Sequence, residues 1–195
     1  MTGPLDAQDD ASTPLDEDEK EGLIPSYITL RSELNEAEQA NILEAQDWAF
    51  ARRRDVLDAG FLDNLHKRMF GNVWKWAGTH RRTGKNIGIE PYRIAVEIVA
   101  LIDDCRYWNE NKTFPPDEIA ARFHHKLVWI HCYPNGNGRH ARLATDLLLT
   151  SMGCEPFTWG SVSLTDPGKT REQYVAALRA ADNHDINPLL TFVRS

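Results

Sequence analysis

Two apolar runs separated by a polar, glycine-bearing turn constrain the fold of this chain more than any other feature. Residues 126–130 and 143–149 are the apolar runs, and residues 131–142 form the polar stretch between them. Apolar runs on either side of glycines predict two helices joined by a turn. Such a turn can bind phosphate, because the N–H groups of the first helical turn have no partner within the helix.

The polar turn contains the residue types that phosphate chemistry needs. Gly136 and Gly138 let backbone N–H groups approach a ligand, since glycine has no Cβ. Arg139 and Arg142 are three residues apart and share one helical face, which suits two consecutive phosphates of a nucleotide. His131 can accept a proton from a hydroxyl group that attacks phosphorus. The turn therefore predicts a site that acts on nucleotide phosphates.

The rest of the chain has mostly helical periodicity. Helices are predicted over residues 35–53, 57–70, 93–109, 115–130, 138–152, 171–181 and 187–193. Residues 78–89 are the exception, because they are polar, contain glycines and lack good helix formers. They predict a small β-hairpin or an extended loop. The predicted fold class is all-α, with one helical domain and this single hairpin.

Negative charge is concentrated at the N-terminus. The first 22 residues contain eight acidic residues and one Lys, whereas the remaining residues contain 21 acidic and 21 basic ones. We expect residues 1–22 to be a disordered acidic tail and residues 23–195 to be the folded domain. A body without net charge argues against nucleic-acid binding, which normally requires a basic face.

Targeting features and cysteines predict a cytoplasmic protein. No run of residues is long and apolar enough for a membrane-spanning helix, and the N-terminus has no basic, apolar signal region. Cys105, Cys132 and Cys154 match neither a disulfide framework nor a zinc-ligand spacing. A membrane partner is therefore not expected.

The polar turn resembles the signature of the Fic family, His-x-Phe-x-Asp/Glu-Gly-Asn-Gly-Arg-x-x-Arg. The matching residues are His131, Gly136, Asn137, Gly138, Arg139 and Arg142. Tyr133 stands in place of the phenylalanine, and Asn135 in place of the acid. Residues 65–78 resemble the segment that leads into the family's target-binding hairpin, and residues 171–192 resemble its C-terminal helices. The likeness covers about residues 29–193. Within the family, the sequence is also similar to the bacterial subgroup named mobile mystery protein B.

This resemblance implies transfer of AMP from ATP to a Tyr, Thr or Ser hydroxyl of a protein, the chain itself included. His131 would be the general base, while Arg139 and Arg142 would hold the β- and γ-phosphates. The other residues that the resemblance places at ATP are Asn135, Gly136, Asn137, Gly138, Lys85 and Asn86. Residues 78–89 would form a flap that binds the target by backbone pairing, through Thr83, Gly84, Ile87 and Gly88.

Asn135 and Glu33 predict an activity that is weak or autoinhibited. Family members with a carboxylate in place of Asn135 use it to bind Mg²⁺, and an amide oxygen is a poorer ligand. We therefore expect Mg²⁺ to be held mainly by the phosphates of ATP, with no carboxylate ligand from the protein. Residues 29–35 resemble the family's inhibitory segment, in which Glu33 would pair with Arg142 and displace it from the γ-phosphate. An ordinary helix N-cap explains the same residues.

Other functions are compatible with these residues. The site could remove AMP from a protein, with Glu33 positioning water. It could instead bind a nucleotide without turnover, as a regulatory or toxin-partner module, if Asn135 abolishes catalysis. Phosphate transfer, as in the Doc branch, is disfavoured because that branch departs from the Gly-Asn-Gly-Arg sequence present here. A homodimer is compatible with the sequence, and the target protein is not identified by it.

Overall fold

A computed structural model describes residues 15–161 and 167–195, and this part of the chain folds into eight α-helices. The helices are α1 (Glu17–Lys20), α2 (Arg31–Phe50), α3 (Ala59–Phe70), α4 (Ile94–Glu110), α5 (Pro116–Ile130), α6 (Asn137–Ser151), α7 (Pro167–Asp182) and α8 (Asn187–Val193). A short 3₁₀ turn, Pro91–Arg93, leads directly into α4.

The helices pack in pairs around two apolar clusters. Helix α2 packs against α3, and α5 packs against both α4 and α6. The main cluster lies among α2 to α6 and contains the fully buried side chains of Phe70, Trp74 and Phe123. A smaller cluster joins α5 and α6 to α7 and α8. Because α5 and α6 belong to both clusters, the short turn between them is held from both sides.

Capping residues explain where the helices begin and end. The Asp58 carboxylate accepts a hydrogen bond from the backbone N–H of Phe61 at 2.7 Å and caps α3, which ends before Gly71 as predicted. Helix α2 begins at Arg31, earlier than predicted, because the Glu33 side chain satisfies backbone N–H groups at its start. The remaining predicted helices are confirmed, with ends that differ from the predicted ones by at most four residues.

The predicted β-hairpin over residues 78–89 is not present, because these residues form bends and an extended loop without any strand. The buried guanidinium of Arg81 takes the place of strand pairing. It donates hydrogen bonds to the carbonyl oxygens of Thr83 and Ile89, which lie on opposite sides of the flap. Since one side chain satisfies these carbonyls, the flap closes without a β-ladder.

Residues 1–14 of the predicted disordered tail lie outside the described residues. Residues 15–22 correct the prediction, because they contain α1 and pack on the domain. The indole Nε1 of Trp76 donates a hydrogen bond to the carbonyl oxygen of Glu19 at 3.0 Å. An antiparallel bridge between Leu23 and Trp74 continues this attachment. Folded structure therefore extends back at least to residue 15.

The cysteines are unpaired, and the described helices do not suit a membrane. Cys105, Cys132 and Cys154 are free thiols. Among residues 15–161 and 167–195, no helix combines the length and the apolar composition that crossing a membrane requires.

Candidate nucleotide site and flap

His131 lies at the C-terminal end of α5 with a left-handed backbone conformation, φ = 56°. Such a conformation costs about 1–3 kcal/mol for a residue with a Cβ, and here it turns the chain sharply out of the helix. Burial, together with the positive charges of Arg81 and Lys85, lowers the pKa of His131 to about 4. A hydrogen bond with the backbone of Val128 opposes this shift. The imidazole is therefore neutral at pH 7 and can accept a proton.

Residues 132–138, here named the anion loop, run from His131 into the first two residues of α6. Asn137 closes this loop, since its Oδ1 accepts a hydrogen bond from the Tyr133 N–H at 2.9 Å and its Nδ2 donates to the Tyr133 carbonyl at 2.8 Å. Both ends of the buried amide are thus committed to the backbone. Asn137 therefore shapes the loop, and its predicted help in orienting the phosphates stays a prediction.

Gly136 turns the anion loop into α6. Its φ is +78°, and a Cβ there would lie 2.6 Å from the ring of Phe70, so both conformation and packing require glycine. A Cβ on Gly138 would meet nothing within 4 Å apart from its chain neighbours and the backbone of its own helix, so packing does not explain the second glycine. Helix α6 begins at Asn137, and the backbone N–H groups of its first turn are the predicted anion-binding groups.

Arg139 is held by a carboxylate that the sequence analysis does not single out. Its Nη1 donates a hydrogen bond to Oε2 of Glu38 at 2.6 Å, and its Nη2 lies 3.4 Å from Oδ1 of Asn135. The other carboxylate oxygen of Glu38 accepts a hydrogen bond from the buried indole of Trp74 at 2.7 Å. The guanidinium also lies over the Phe70 ring, 4.8 Å from its centroid. Helix α2 therefore fixes Arg139 beside the anion loop.

Arg142 has different surroundings from Arg139, although the two share one helical face. Its guanidinium lies 4.6 Å from the centroid of the Tyr174 ring and 5.8 Å from that of Trp159. The Trp159 indole is held by Asp146, whose pKa burial raises to about 6. Arg142 thus lies against aromatic rings and is hydrogen-bonded to the Tyr174 side chain, whereas a carboxylate holds Arg139.

The flap lies against His131 at both of its ends. The backbone N–H of Arg81 donates a hydrogen bond to the carbonyl of Cys132 at 2.9 Å, and its Nε donates to the carbonyl of His131 at 2.6 Å. At the other end, a Cβ on Gly88 would lie 2.5 Å from the Cβ of His131. The φ of Gly88 is +92°, so glycine is needed for this close approach.

The residues predicted to bind the target lie on the exposed part of the flap. They are Thr83, Gly84, Ile87 and Gly88. Asn86 is exposed beside them, but Lys85 is almost fully covered. Its Nζ lies 2.5 Å from Oε2 of Glu19 and 3.0 Å from Oδ2 of Asp16. The predicted contacts of Lys85 and Asn86 with a nucleotide stay predictions.

His66 joins the anion loop to the flap. Its Nδ1 accepts a hydrogen bond from the backbone N–H of Gly78, and its Nε2 lies 3.0 Å from the carbonyl oxygen of Asn135. Since Nδ1 accepts, the ring proton is assigned to Nε2, which donates to that carbonyl. The ring stacks on Tyr133 with 3.7 Å between centroids. Burial lowers the pKa of His66 well below its usual value and keeps the ring neutral.

Glu33 lies in the first turn of α2. Its Oε2 accepts hydrogen bonds from the backbone N–H groups of Thr29 at 2.7 Å and Leu30 at 2.9 Å. These bonds hold the pKa of the Glu33 carboxyl below its usual value. The structure therefore shows Glu33 as a helix cap, bonded to Thr29 and Leu30 and not to Arg142. Its inhibitory role stays a prediction.

Comparison with known proteins agrees with this arrangement. The model of the Fic/DOC family matches residues 56–149, which include α3, the flap, α5 and the anion loop. The chain belongs to the Fic/DOC family. Its all-α fold is that of other Fic domains, whereas the narrower bacterial subgroup stays a prediction.

Three proteins illustrate the likeness. The protein adenylyltransferase Fic of Drosophila grimshawi is 31% identical over 144 residues, which are 72% of this chain and 27% of that protein. A Fic-1 structure from C. elegans has a TM-score of 0.67 at 24% identity, and the match covers 90% of this chain and 51% of that one. The BepC protein of Bartonella tribocorum, solved with bound AMPPNP, has a TM-score of 0.69 at 18% identity over 92% of this chain and 97% of that one. This chain spans about a quarter of the length of the curated relatives it matches.

Asp63 and Glu38 of this Fic domain have roles that the sequence analysis does not predict. Asp63 accepts a hydrogen bond from the Tyr133 hydroxyl at 2.8 Å and lies 3.0 Å from Nε2 of His80. The change from phenylalanine to Tyr133 is therefore not neutral, because the hydroxyl ties the anion loop to α3. Glu38 lies on the same buried face of α2 as Leu34. An acidic residue on an apolar helix face is unusual, so this position in the sequence indicates a buried partner for the carboxylate.

The side chains of this Fic domain do not fit Mg²⁺ well. Oδ1 of Asn135 already accepts a hydrogen bond from the Gly136 N–H at 2.7 Å and faces the Arg139 guanidinium. A neutral oxygen beside a guanidinium is a poor ligand for a divalent cation. In the described part of the chain, no three His, Cys, Asp or Glu side chains are grouped as a metal site. Any Mg²⁺ at this site would depend on the phosphates of ATP.

A surface cavity of about 380 Å³ lies elsewhere on the Fic domain, near the C-terminal ends of α2 and α6. Its lining includes Arg52, Arg53 and Arg54. None of the residues predicted to bind nucleotide or target lines this cavity, so it is separate from the site around His131.

Proposed function

We propose that this Fic domain transfers AMP from ATP to a hydroxyl group of a protein. One observation carries the proposal: the neutral imidazole of His131 lies between the anion loop and the flap. The hydroxyl oxygen would attack the α-phosphorus, and the bond from that phosphorus to the bridging oxygen would break. Pyrophosphate would leave, and His131 would take the hydroxyl proton.

The anion loop would bind the nucleotide phosphates. The N–H groups at the start of α6 suit an anion, and the guanidinium groups of Arg139 and Arg142 add two positive charges. Glu38 keeps Arg139 in place before a nucleotide binds, which reduces the ordering cost of binding. A related structure with bound AMPPNP supports a nucleotide as the ligand of this fold.

The flap would bind the protein target. Its exposed backbone over residues 83–88 lacks helix or strand partners, and it lies beside His131. A target segment that pairs with this backbone would therefore bring its hydroxyl group close to the base. Because the target is held by main-chain atoms, Tyr, Thr and Ser are all compatible with this arrangement.

A second candidate function is nucleotide binding without turnover. Two observations favour it: Asn135 provides no carboxylate for Mg²⁺, and Glu38 already neutralises Arg139. Removal of AMP has less support, because it requires the Glu33 carboxylate to position water, whereas that carboxylate caps α2.

Labelling with radioactive ATP tests the proposal. The purified chain is incubated with Mg²⁺ and with ATP labelled at either the α- or the γ-phosphate, with and without cell lysate. We expect weak protein labelling from α-labelled ATP only. His131→Ala should reduce this labelling by about a hundredfold or more, as expected for loss of a general base. His125→Ala is the matched control, since His125 lies on the same helix and pairs with Asp182 at the surface.

Each other outcome has a defined meaning. Labelling from γ-labelled ATP would show phosphate transfer, and ATP binding without labelling would favour the regulatory module. Equal labelling by His131→Ala and the unchanged protein would remove His131 from the mechanism. ATP binding itself should survive the substitution, because the phosphates are assigned to the anion loop.

A further inference from the structure

The acidic segment that precedes the domain is attached beside the flap by backbone contacts. The backbone N–H of Ile24 donates a hydrogen bond to the carbonyl of Val73 at 2.8 Å, and the N–H of Lys75 donates to that of Gly22 at 2.8 Å. These bonds depend on no particular side chain of the segment. They fix the direction in which residues 16–21 leave the domain, and this direction leads across the flap.

Two carboxylates of this segment bind to side chains of the flap. Asp16 accepts a hydrogen bond from the Thr83 hydroxyl at 2.9 Å and lies 3.0 Å from Nζ of Lys85. Glu19 lies 2.5 Å from the same Nζ. The Lys85 side chain is only 3% exposed, and the hydrogen bond from Lys85 holds the pKa of Asp16 below its usual value. Thr83 and Lys85 thus form a binding site for carboxylates.

This carboxylate-binding site lies close to the catalytic histidine. Lys85 belongs to the same flap that lies against His131 at both of its ends, through Arg81 and Gly88. Gly88, three residues after Lys85, packs directly on His131. A protein segment bound along the flap with its hydroxyl group at His131 would therefore pass Thr83 and Lys85.

We propose that Thr83 and Lys85 recognise acidic residues next to the target hydroxyl, and that Asp16 and Glu19 of this chain occupy their place until an acidic target segment displaces them. The proposal rests on the proposed function only in taking the flap as the place of the target. A tethered competitor has an effective concentration of about 1 mM or more, so it excludes weakly binding segments. Only a target segment that is itself acidic would then displace Asp16 and Glu19 and reach the flap.

Peptide binding to the full chain, measured without nucleotide, tests this inference. The probe is a fluorescein-labelled peptide in which Asp and Glu flank one Tyr, and fluorescence anisotropy reports its binding. The double variant Asp16→Asn/Glu19→Gln should bind it about tenfold more tightly than the unchanged chain, because the competitor is weakened. The control Glu17→Gln/Asp18→Asn removes the same charge from exposed residues and should leave the affinity unchanged.

A second pair of variants tests the flap. Lys85→Gln, added to Asp16→Asn/Glu19→Gln, should abolish the tenfold increase in peptide affinity. Arg82→Gln, which removes an exposed charge from the same loop, should retain most of that increase. The peptide with Asn and Gln in place of its acids should bind to none of the proteins. Equal affinities of the two double variants, or equal binding of the neutral peptide, would overturn the inference.

The two proposals can fail separately. Peptide binding is measured without ATP, so an absence of AMP transfer leaves the expected pattern intact and overturns only the proposed function. Conversely, the chain could transfer AMP while Asp16→Asn/Glu19→Gln leaves peptide affinity unchanged. That result overturns only the proposed recognition of acidic segments. Circular dichroism confirms that each variant is folded before its affinity is compared.

Discussion

Replacing Glu38 by Gln tests how Arg139 is held at the anion loop. The Gln side chain keeps an oxygen that can accept the hydrogen bond from Trp74, which is 2.7 Å from the carboxylate in the structure. It loses the ion pair with Nη1 of Arg139, where the present distance is 2.6 Å. The substitution therefore separates the ion pair from the hydrogen bond to the indole.

The expected loss of stability follows from the burial of the two partners. Breaking a buried ion pair costs about 3–5 kcal/mol, while an exposed pair contributes about 0–1 kcal/mol. Glu38 is buried, but the Arg139 side chain is 39% exposed and can be hydrated again. We expect Glu38→Gln to lower the free energy of unfolding by about 1–2 kcal/mol. Glu38→Ala should cost a further 1–3 kcal/mol or so, because it leaves the buried indole N–H without an acceptor.

Nucleotide binding gives the functional result. Releasing one long side chain adds an ordering cost of about 0.5–1.5 kcal/mol to binding, which corresponds to roughly two- to tenfold weaker affinity. Isothermal titration with a non-hydrolysable ATP analogue measures this change, and Glu44→Gln on the exposed face of α2 is the control. Unchanged affinity would refute the positioning role of Glu38. Tighter binding would show that Glu38 competes with phosphate for Arg139.

Three further predictions concern the metal, the helix cap and acid. Asn135→Asp should raise labelling from ATP several-fold at limiting Mg²⁺, because a carboxylate is the better ligand, and an unchanged Mg²⁺ dependence would contradict this. Glu33→Gly should lower the melting temperature, because it removes the cap of α2, and should also raise auto-labelling if Glu33 inhibits. Glu36→Gly, at an exposed position of the same helix, is the control. Unchanged labelling by a folded Glu33→Gly protein would argue against inhibition. Burial lowers the pKa of His124 to about 3 and that of His140 to about 4. Below about pH 6.5 the unfolded chain therefore binds more protons than the native state, and the native state loses stability. The urea concentration at the unfolding midpoint should fall between about pH 7 and pH 4.5, and an unchanged midpoint would refute the argument.

Local sequence signals are enough to predict the helices and the turn that follows His131. Apolar periodicity predicts the helices, because most of them bury one face against a neighbour. The base, the glycines and the arginines are close in sequence, so a single helix–turn–helix places them together. Gly136 illustrates this, since its conformation is required by the turn itself.

Contacts between distant parts of the chain could not be predicted in this way. Arg81 closes the flap through carbonyl groups, which no side-chain pattern reveals, and the predicted hairpin was wrong for this reason. Glu38 meets Arg139 across a sequence separation of 101 residues. Residues 15–22 have the composition of a disordered segment, yet Lys85 and Trp76 provide partners for their carboxylate and backbone groups. Composition describes a segment in isolation and contains no information on such partners.

The two hydrogen bonds of His66 have a consequence for how the site responds to acid. A neutral ring can accept from Gly78 and donate to Asn135 at the same time, whereas a protonated ring presents a second N–H to the Gly78 amide and must give up that bond. A single protonation would therefore loosen the anion loop and the flap together. The proposed nucleotide site and the proposed target site would therefore weaken together as His66 is protonated.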